Sequence, residues 1–130
     1  LGGFDERFFM YGEDVDLSLR AARAGRPPVL VPSIEITHTV GVSSGSRPGR
    51  KTLVMKGKAT VARKHSRALG RALALALLQA GAGVRALLRI EPWPEVWRSR
   101  REWVPGYPPA AEPRVHVAQT STHGVLRDAR

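Results

Sequence analysis

The chain has 130 residues, no cysteine and a formal net charge of +10. That length allows one domain with a real core. The missing thiols exclude disulfides and thiolate metal sites, and they suit a reducing compartment. The charge is uneven. Residues 1–46 hold four Lys/Arg against six Asp/Glu, residues 47–104 fourteen against three, and residues 105–130 three against two. A basic block of this kind points to an anionic partner: phospholipid, nucleic acid or a phosphorylated substrate.

Residue 1 is Leu and leads straight into "GGFDERFFMYGED". This reads as the middle of a domain, so the expectation is a C-terminal piece of a longer protein. Neither a basic n-region nor an apolar h-region of a signal peptide opens the chain. Gly2-Gly3 marks a turn, and "FDERFF" reads as irregular or briefly helical. Asp14 to Ala24 is expected to be a helix. Acids at 13, 14 and 16 favour its positive end, while Arg20 and Arg23 suit its C-terminal end. Gly25 and Pro27 stop it.

"VLV" at 29–31 has the composition of a short buried strand. "IEITHTV" at 34–40 alternates, with Ile34, Ile36, His38 and Val40 on one face. "GVSSGSRPGRK" at 41–51 reads as a Gly/Ser loop with a basic exit and has no phosphate-loop pattern. Thr52 to about Arg89 reads as helical. Its longest charge-free stretch, Ala72 to Val84, falls short of the ~20 residues a membrane span needs. "EPWPEVWRSRREW" reads as a short helix starting near Pro94, presenting Trp97 beside basic neighbours. "PGYPPAAEP" reads as a linker before a polar tail. The expected divisions are 1–50, 51–104 and 105–130.

The string from Gly2 to Gly25, "GGFDERFFMYGEDVDLSLRAARAG", with "HTVGVSS" downstream, resembles the C-terminal part of the catalytic domain in glycosyltransferase family 2. The likeness is to rhamnosyltransferase-like and galactofuranosyltransferase-like members. It is close over roughly residues 1–46 and loose to about 90. The resemblance implies an α/β fold, the acceptor-side half of a Rossmann-like GT-A domain, followed by a basic helical extension. It implies an inverting transfer from a nucleotide-sugar donor to a glycan or lipid-linked acceptor in cell-wall or surface polysaccharide synthesis. Asp14 would be the general base. Glu13, Tyr11 and Gly12 would serve the acceptor. A divalent metal, Mn²⁺ or Mg²⁺, would sit on the diphosphate with His38 as a ligand, and Ser43, Ser44 and Arg47 would contact that diphosphate. The family's Asp-x-Asp metal motif and nucleotide-binding half lie outside these residues, so the chain alone is expected to be inactive. Without a Gln-x-x-Arg-Trp motif it resembles a single-addition enzyme.

The same residues have plainer readings. Glu13, Asp14 and Asp16 make a solvated, acid-rich first turn, with Asp16 read as a dipole-favouring helix residue. His38 is a strand-end histidine bonded to backbone, and Phe8 to Tyr11 are core. The basic block is either a solvated helical face or an interfacial helix. With Trp93, Trp97 and Trp103 it would rest on an anionic membrane surface. That reading places the protein in the cytoplasm, peripheral to the inner face of the membrane. The alternative function is a non-catalytic basic module that binds anionic membrane or, as the weaker option, nucleic acid. Nucleic acid is not expected, because the aromatics do not interleave with the basic run.

Overall fold

The computed structural model describes residues 1–35, 37 and 47–109. Helix is the only regular structure among them. In chain order the helices are α1 (Glu13–Arg23), α2 (Arg47–His65), α3 (Ala68–Leu87), α4 (Trp93–Arg98) and α5 (Arg100–Trp103).

The α/β, Rossmann-like GT-A expectation is therefore corrected. "VLV" forms no strand, and its side chains lie in solvent, with Leu30 90% exposed. A strand needs a hydrogen-bonded neighbour and an apolar face to cover. Among the described residues neither is present. The alternating segment 34–40 is described only at Ile34, Glu35 and Thr37, which are not in a strand either.

α1 begins where the sequence places acids and ends where it places basic residues, Arg20 and Arg23. Ala24 and Gly25 then close it, the glycine at a φ of 74°. α2 begins earlier than expected, inside the Gly/Ser loop. Pro48 in its first turn is tolerated because the first helical N–H groups have no intrahelical acceptor. The helical stretch 52–89 breaks at Ser66 and Arg67, so α2 and α3 fold back as a hairpin.

Met55, Ala82, Val96 and Trp103 form the core, with Leu78, Trp93, Trp97 and Val104 packed around them. Trp103 is fully buried and donates its indole Nε1–H to the carbonyl of Val96 at 2.8 Å. It is a core residue, which removes it from the set expected at a membrane surface. Gly83 lets Trp97 lie on α3, since an added Cβ would come within 3.3 Å of that ring. Where a linker was expected, Gly106 and Tyr107 are buried against α2. The Tyr107 backbone N–H donates to Thr60 Oγ1 at 2.7 Å, and its hydroxyl donates to the Met10 carbonyl at 2.7 Å. Its ring also meets Phe8 edge-on, centroids 6.1 Å apart.

Gly57 sets the approach of the N-terminal segment to α2. A Cβ there would stand 2.0 Å from the Tyr11 carbonyl oxygen. Mid-helix glycine is unfavourable by up to ~1 kcal/mol relative to alanine, so an isolated helix would gain from Gly57→Ala. Here the clash with backbone reverses the sign. Gly57→Ala should destabilise the fold by roughly 1–3 kcal/mol, the usual cost of overpacking. A urea titration checks this, and a variant as stable as wild type would mean the Tyr11 loop does not rest on α2.

Candidate functional site

The Tyr11–Gly12 pair turns the chain into α1. Tyr11 has φ 67° and Gly12 has φ 98°. A left-handed tyrosine is uncommon and costs energy that surrounding contacts must offset. Those contacts come from α2 at Gly57. A Cβ on Gly12 would meet both the Gly57 carbonyl oxygen and the Phe8 ring at 3.1 Å. Gly12 cannot cap α1 with a side chain, and no side chain does so. The backbone N–H of Asp16 bonds to the Gly12 carbonyl at 2.9 Å.

The three acids of the first turn then take three different environments. The Asp14 side chain is exposed, and its carboxylate has no hydrogen bond or ion pair among the described residues. Glu13 is half-buried, and its Oε2 is buried without a hydrogen-bond partner. Its charge acts on Tyr107, whose hydroxyl is pushed up mainly by burial, with Glu13 and Tyr11 adding to the effect.

Asp16 is fully buried. Its Oδ1 accepts from Lys64 Nζ at 2.6 Å and from His65 Nε2 at 2.7 Å, and its Oδ2 accepts from Arg20 Nε at 2.8 Å. The cluster extends outward. Lys64 also reaches Asp5 Oδ2 at 2.6 Å, and Arg20 donates to the carbonyls of Leu1 and Gly3. Arg23 Nη1 lies 2.7 Å from His65 Nδ1. A guanidinium can only donate, so Nδ1 accepts and the proton of the neutral imidazole sits on Nε2, facing Asp16. Burial raises the Asp16 pKa, but the bonds from Lys64, His65 and Arg20 outweigh it and hold the group down to about 2. Asp5 is lowered too, chiefly by Lys64.

An apolar groove of about 590 Å³ runs between the start of α1 and the helices α2 and α3. Tyr11, Gly12 and Val15 form one wall, and Val54, Val61, Ala74, Leu77 and Leu78 are among the residues of α2 and α3 opposite, with Lys58 at its edge. Of the expected acceptor-side residues, Tyr11 and Gly12 line the groove, while Glu13 and Asp14, the next two in the chain, are not among its lining residues. His38, Ser43 and Ser44 lie outside the described residues, as does the side chain of Arg47, the first residue of α2. Among the described residues no three His, Asp or Glu side chains converge as a metal site. The expected ligand, His38, is not among those residues.

Sequence reasoning missed the cluster on Asp16. One signal was local, Arg20 four residues after Asp16 and so on its face of α1, whereas Lys64 and His65 lie far along the chain. Gly57, a helix-weakening residue in the middle of α2, was another.

A carboxyl whose pKa is depressed by folding adds stability above its unfolded value, and that stability is lost as pH falls through the folded value. For Asp16 the window runs from the ordinary 3.8 down to about 2. The loss is on the order of 2 kcal/mol, and Asp5 acts in the same direction. At neutral pH, Asp16→Asn should cost about 3 kcal/mol, since it leaves buried donors without their charge partner. It should also flatten the acid dependence. Thermal unfolding of both proteins between pH 4.5 and 2 reads this; equal slopes would remove Asp16 as its source.

No family model matches the chain, and no solved structure matches it. It is similar to two curated proteins named N-acetylglucosaminyl-diphospho-decaprenol L-rhamnosyltransferase, from Mycobacterium tuberculosis strains CDC 1551 / Oshkosh and ATCC 25618 / H37Rv. Each is 54% identical over 48 residues, which is 37% of this chain and 16% of the relative. Coming from one species under one name, they count as a single observation. The chain spans about a sixth of the length of these relatives, and over that stretch it is related to a glycosyltransferase.

Proposed function

We propose that this chain supplies acceptor-side residues of a glycosyltransferase, with Asp14 as the general base. The observation that carries the reading is the position of Asp14. It is an exposed, unpartnered carboxylate on the first turn of α1, two residues after Gly12, which with Tyr11 lines the groove. The 54% identity to a rhamnosyltransferase over 48 residues supports the reaction class.

A sugar hydroxyl is a weak nucleophile at neutral pH. A positioned carboxylate that takes its proton contributes ~10²–10⁴-fold. In the proposed step the acceptor O–H proton passes to Asp14. The acceptor oxygen forms a bond to the anomeric carbon of the donor sugar, and the bond from that carbon to the diphosphate oxygen breaks. The nucleoside diphosphate leaves with the electron pair. Attack opposite the leaving group inverts the anomeric centre.

The neighbouring acids divide the remaining work. Asp16, held at about 2 and fully buried, is neither basic nor accessible enough to take a proton. Glu13 carries a buried oxygen without a donor, suited to accept a hydrogen bond from an acceptor hydroxyl. The donor would be a nucleotide-sugar. The relative's name describes a lipid-linked acceptor, and an apolar groove at the start of α1 suits such a molecule. The resemblance would add Mn²⁺ or Mg²⁺ with His38. The described residues supply no cluster for it, and no step here runs through it.

In the intact natural protein, Asp14→Asn should lower sugar transfer by at least ~10²-fold with unfolding temperature and donor binding preserved. Turnover close to wild type would assign the base elsewhere. Asp16→Asn is the contrasting variant: its main effect should fall on stability.

A further inference from the structure

A cleft of about 210 Å³ lies between α2 and α3. Met55 and Ala82, both buried core residues, form part of its lining. Three cations line it too: Lys51 and Lys58 from α2 and Arg85 from α3, with Trp93 beside them. Lys51 and Lys58 are seven residues apart and so share a face of α2, about 10 Å from each other along its axis. Lys51 Nζ and the Arg85 guanidinium stand over the same Trp93 ring, 5.5 and 5.0 Å from its centroid.

No carboxylate answers these charges. None is among the lining residues, and none pairs with any of the three cations among the described residues. α2, α3 and the turn between them contain no Asp or Glu. Like charges around one cleft repel, and low-dielectric walls focus their field. The Lys58 ammonium has no partner among the described residues. The Arg85 guanidinium is turned back along α3, its Nη1 donating to the Gly81 carbonyl at 2.8 Å. Gly81 leaves room for that turn, since a Cβ there would stand 3.0 Å from Nη1. Nε and Nη2 make no bond among the described residues, and that edge of the guanidinium can meet two oxygens of one anion.

We propose that this cleft binds a diphosphate. Lys51 and Arg85, gathered at Trp93, meet one phosphate, and Lys58 meets the other. Cations spread over two turns of α2 suit two linked phosphates better than one. A nucleotide and a lipid-linked sugar both carry that group. The apolar groove at the start of α1 adjoins the cleft, with Val54, Lys58, Leu77 and Leu78 lining both. A prenyl chain on the diphosphate would run into that groove, whereas a nucleoside has no use for it. Asp14 does not line the cleft, and this inference does not rest on its proposed role.

The test is calorimetric titration of the intact natural protein with inorganic pyrophosphate, without divalent metal. Wild type should bind it saturably. Lys58→Gln and Arg85→Gln should each weaken binding roughly tenfold, the usual worth of a charge-assisted hydrogen bond. Arg71→Gln removes the same charge from α3 about 20 Å along the axis from Arg85 and should leave binding unchanged. All three side chains are exposed, so unfolding temperatures should match wild type. Farnesyl diphosphate and uridine diphosphate then separate the sources. Tighter binding of farnesyl diphosphate than of pyrophosphate, with the excess lost in Leu77→Gln, assigns the lipid. A preference for uridine diphosphate that survives Leu77→Gln assigns the nucleotide, and equal affinities assign the anion alone. The proposal is overturned if pyrophosphate does not bind, or if Lys58→Gln or Arg85→Gln binds it as wild type does. An equal loss in Arg71→Gln would overturn it too, by assigning binding to the basic surface at large.

Discussion

The position of α1 depends on one buried carboxylate. Asp16 is the only residue of α1 that is fully buried, and the leucines beside it are only half-covered. The helix therefore has little apolar area with which to hold its place. A bare buried carboxylate would be prohibitively costly, and Lys64, His65 and Arg20 remove that cost by saturating both oxygens. The same geometry makes the anchor directional. Hydrogen bonds of 2.6–2.8 Å fix distance and angle where loose packing would not. With Gly57 against Tyr11 at one end and Arg23 on His65 at the other, α1 is pinned to α2 along its length. Glu13 and Asp14 acquire their placement from these pins rather than from contacts of their own.

The second organising element is the short segment after α5. Tyr107 reaches both α2, through Thr60, and the N-terminal loop, through Met10 and Phe8. Gly106 makes the approach possible. Its φ of 76° is left-handed, and a Cβ there would stand 2.7 Å from Thr60 Oγ1. Lys56 Nζ lies over the Tyr107 ring, 5.1 Å from its centroid. The aromatic loop that shelters Glu13 is thus tied to residues almost a hundred positions away. This explains why a stretch rich in Pro and Gly is buried at Gly106 and Tyr107.

The sequence made α1 legible because its signals are local. Acids in the first turn, arginines in the last and a glycine stop all act within a few residues. The strand expected at 29–31 failed because Val, Leu and Val describe a composition, whereas a strand is a relation to a partner. Asp16 was hard to tell from Asp14 for a similar reason. Both are acids at a helix start, and beyond Arg20 four residues on, it is Lys64 and His65 of another helix that make Asp16 the buried one. Tyr107 was hidden by its neighbours, since prolines and glycine read as a linker. Trp103 read as an interfacial aromatic because tryptophan beside arginine fits either environment, and burial decides it.

The charge of the 47–104 block shows why composition alone could not choose a partner. Its cations do not all face outward as a field. Lys64 neutralises two buried or half-buried carboxylates, Arg63 donates to the Val104 carbonyl, and Lys51, Lys56, Arg85 and Arg100 lie over aromatic rings. What remains for an outside partner is smaller and more ordered than the net charge implies.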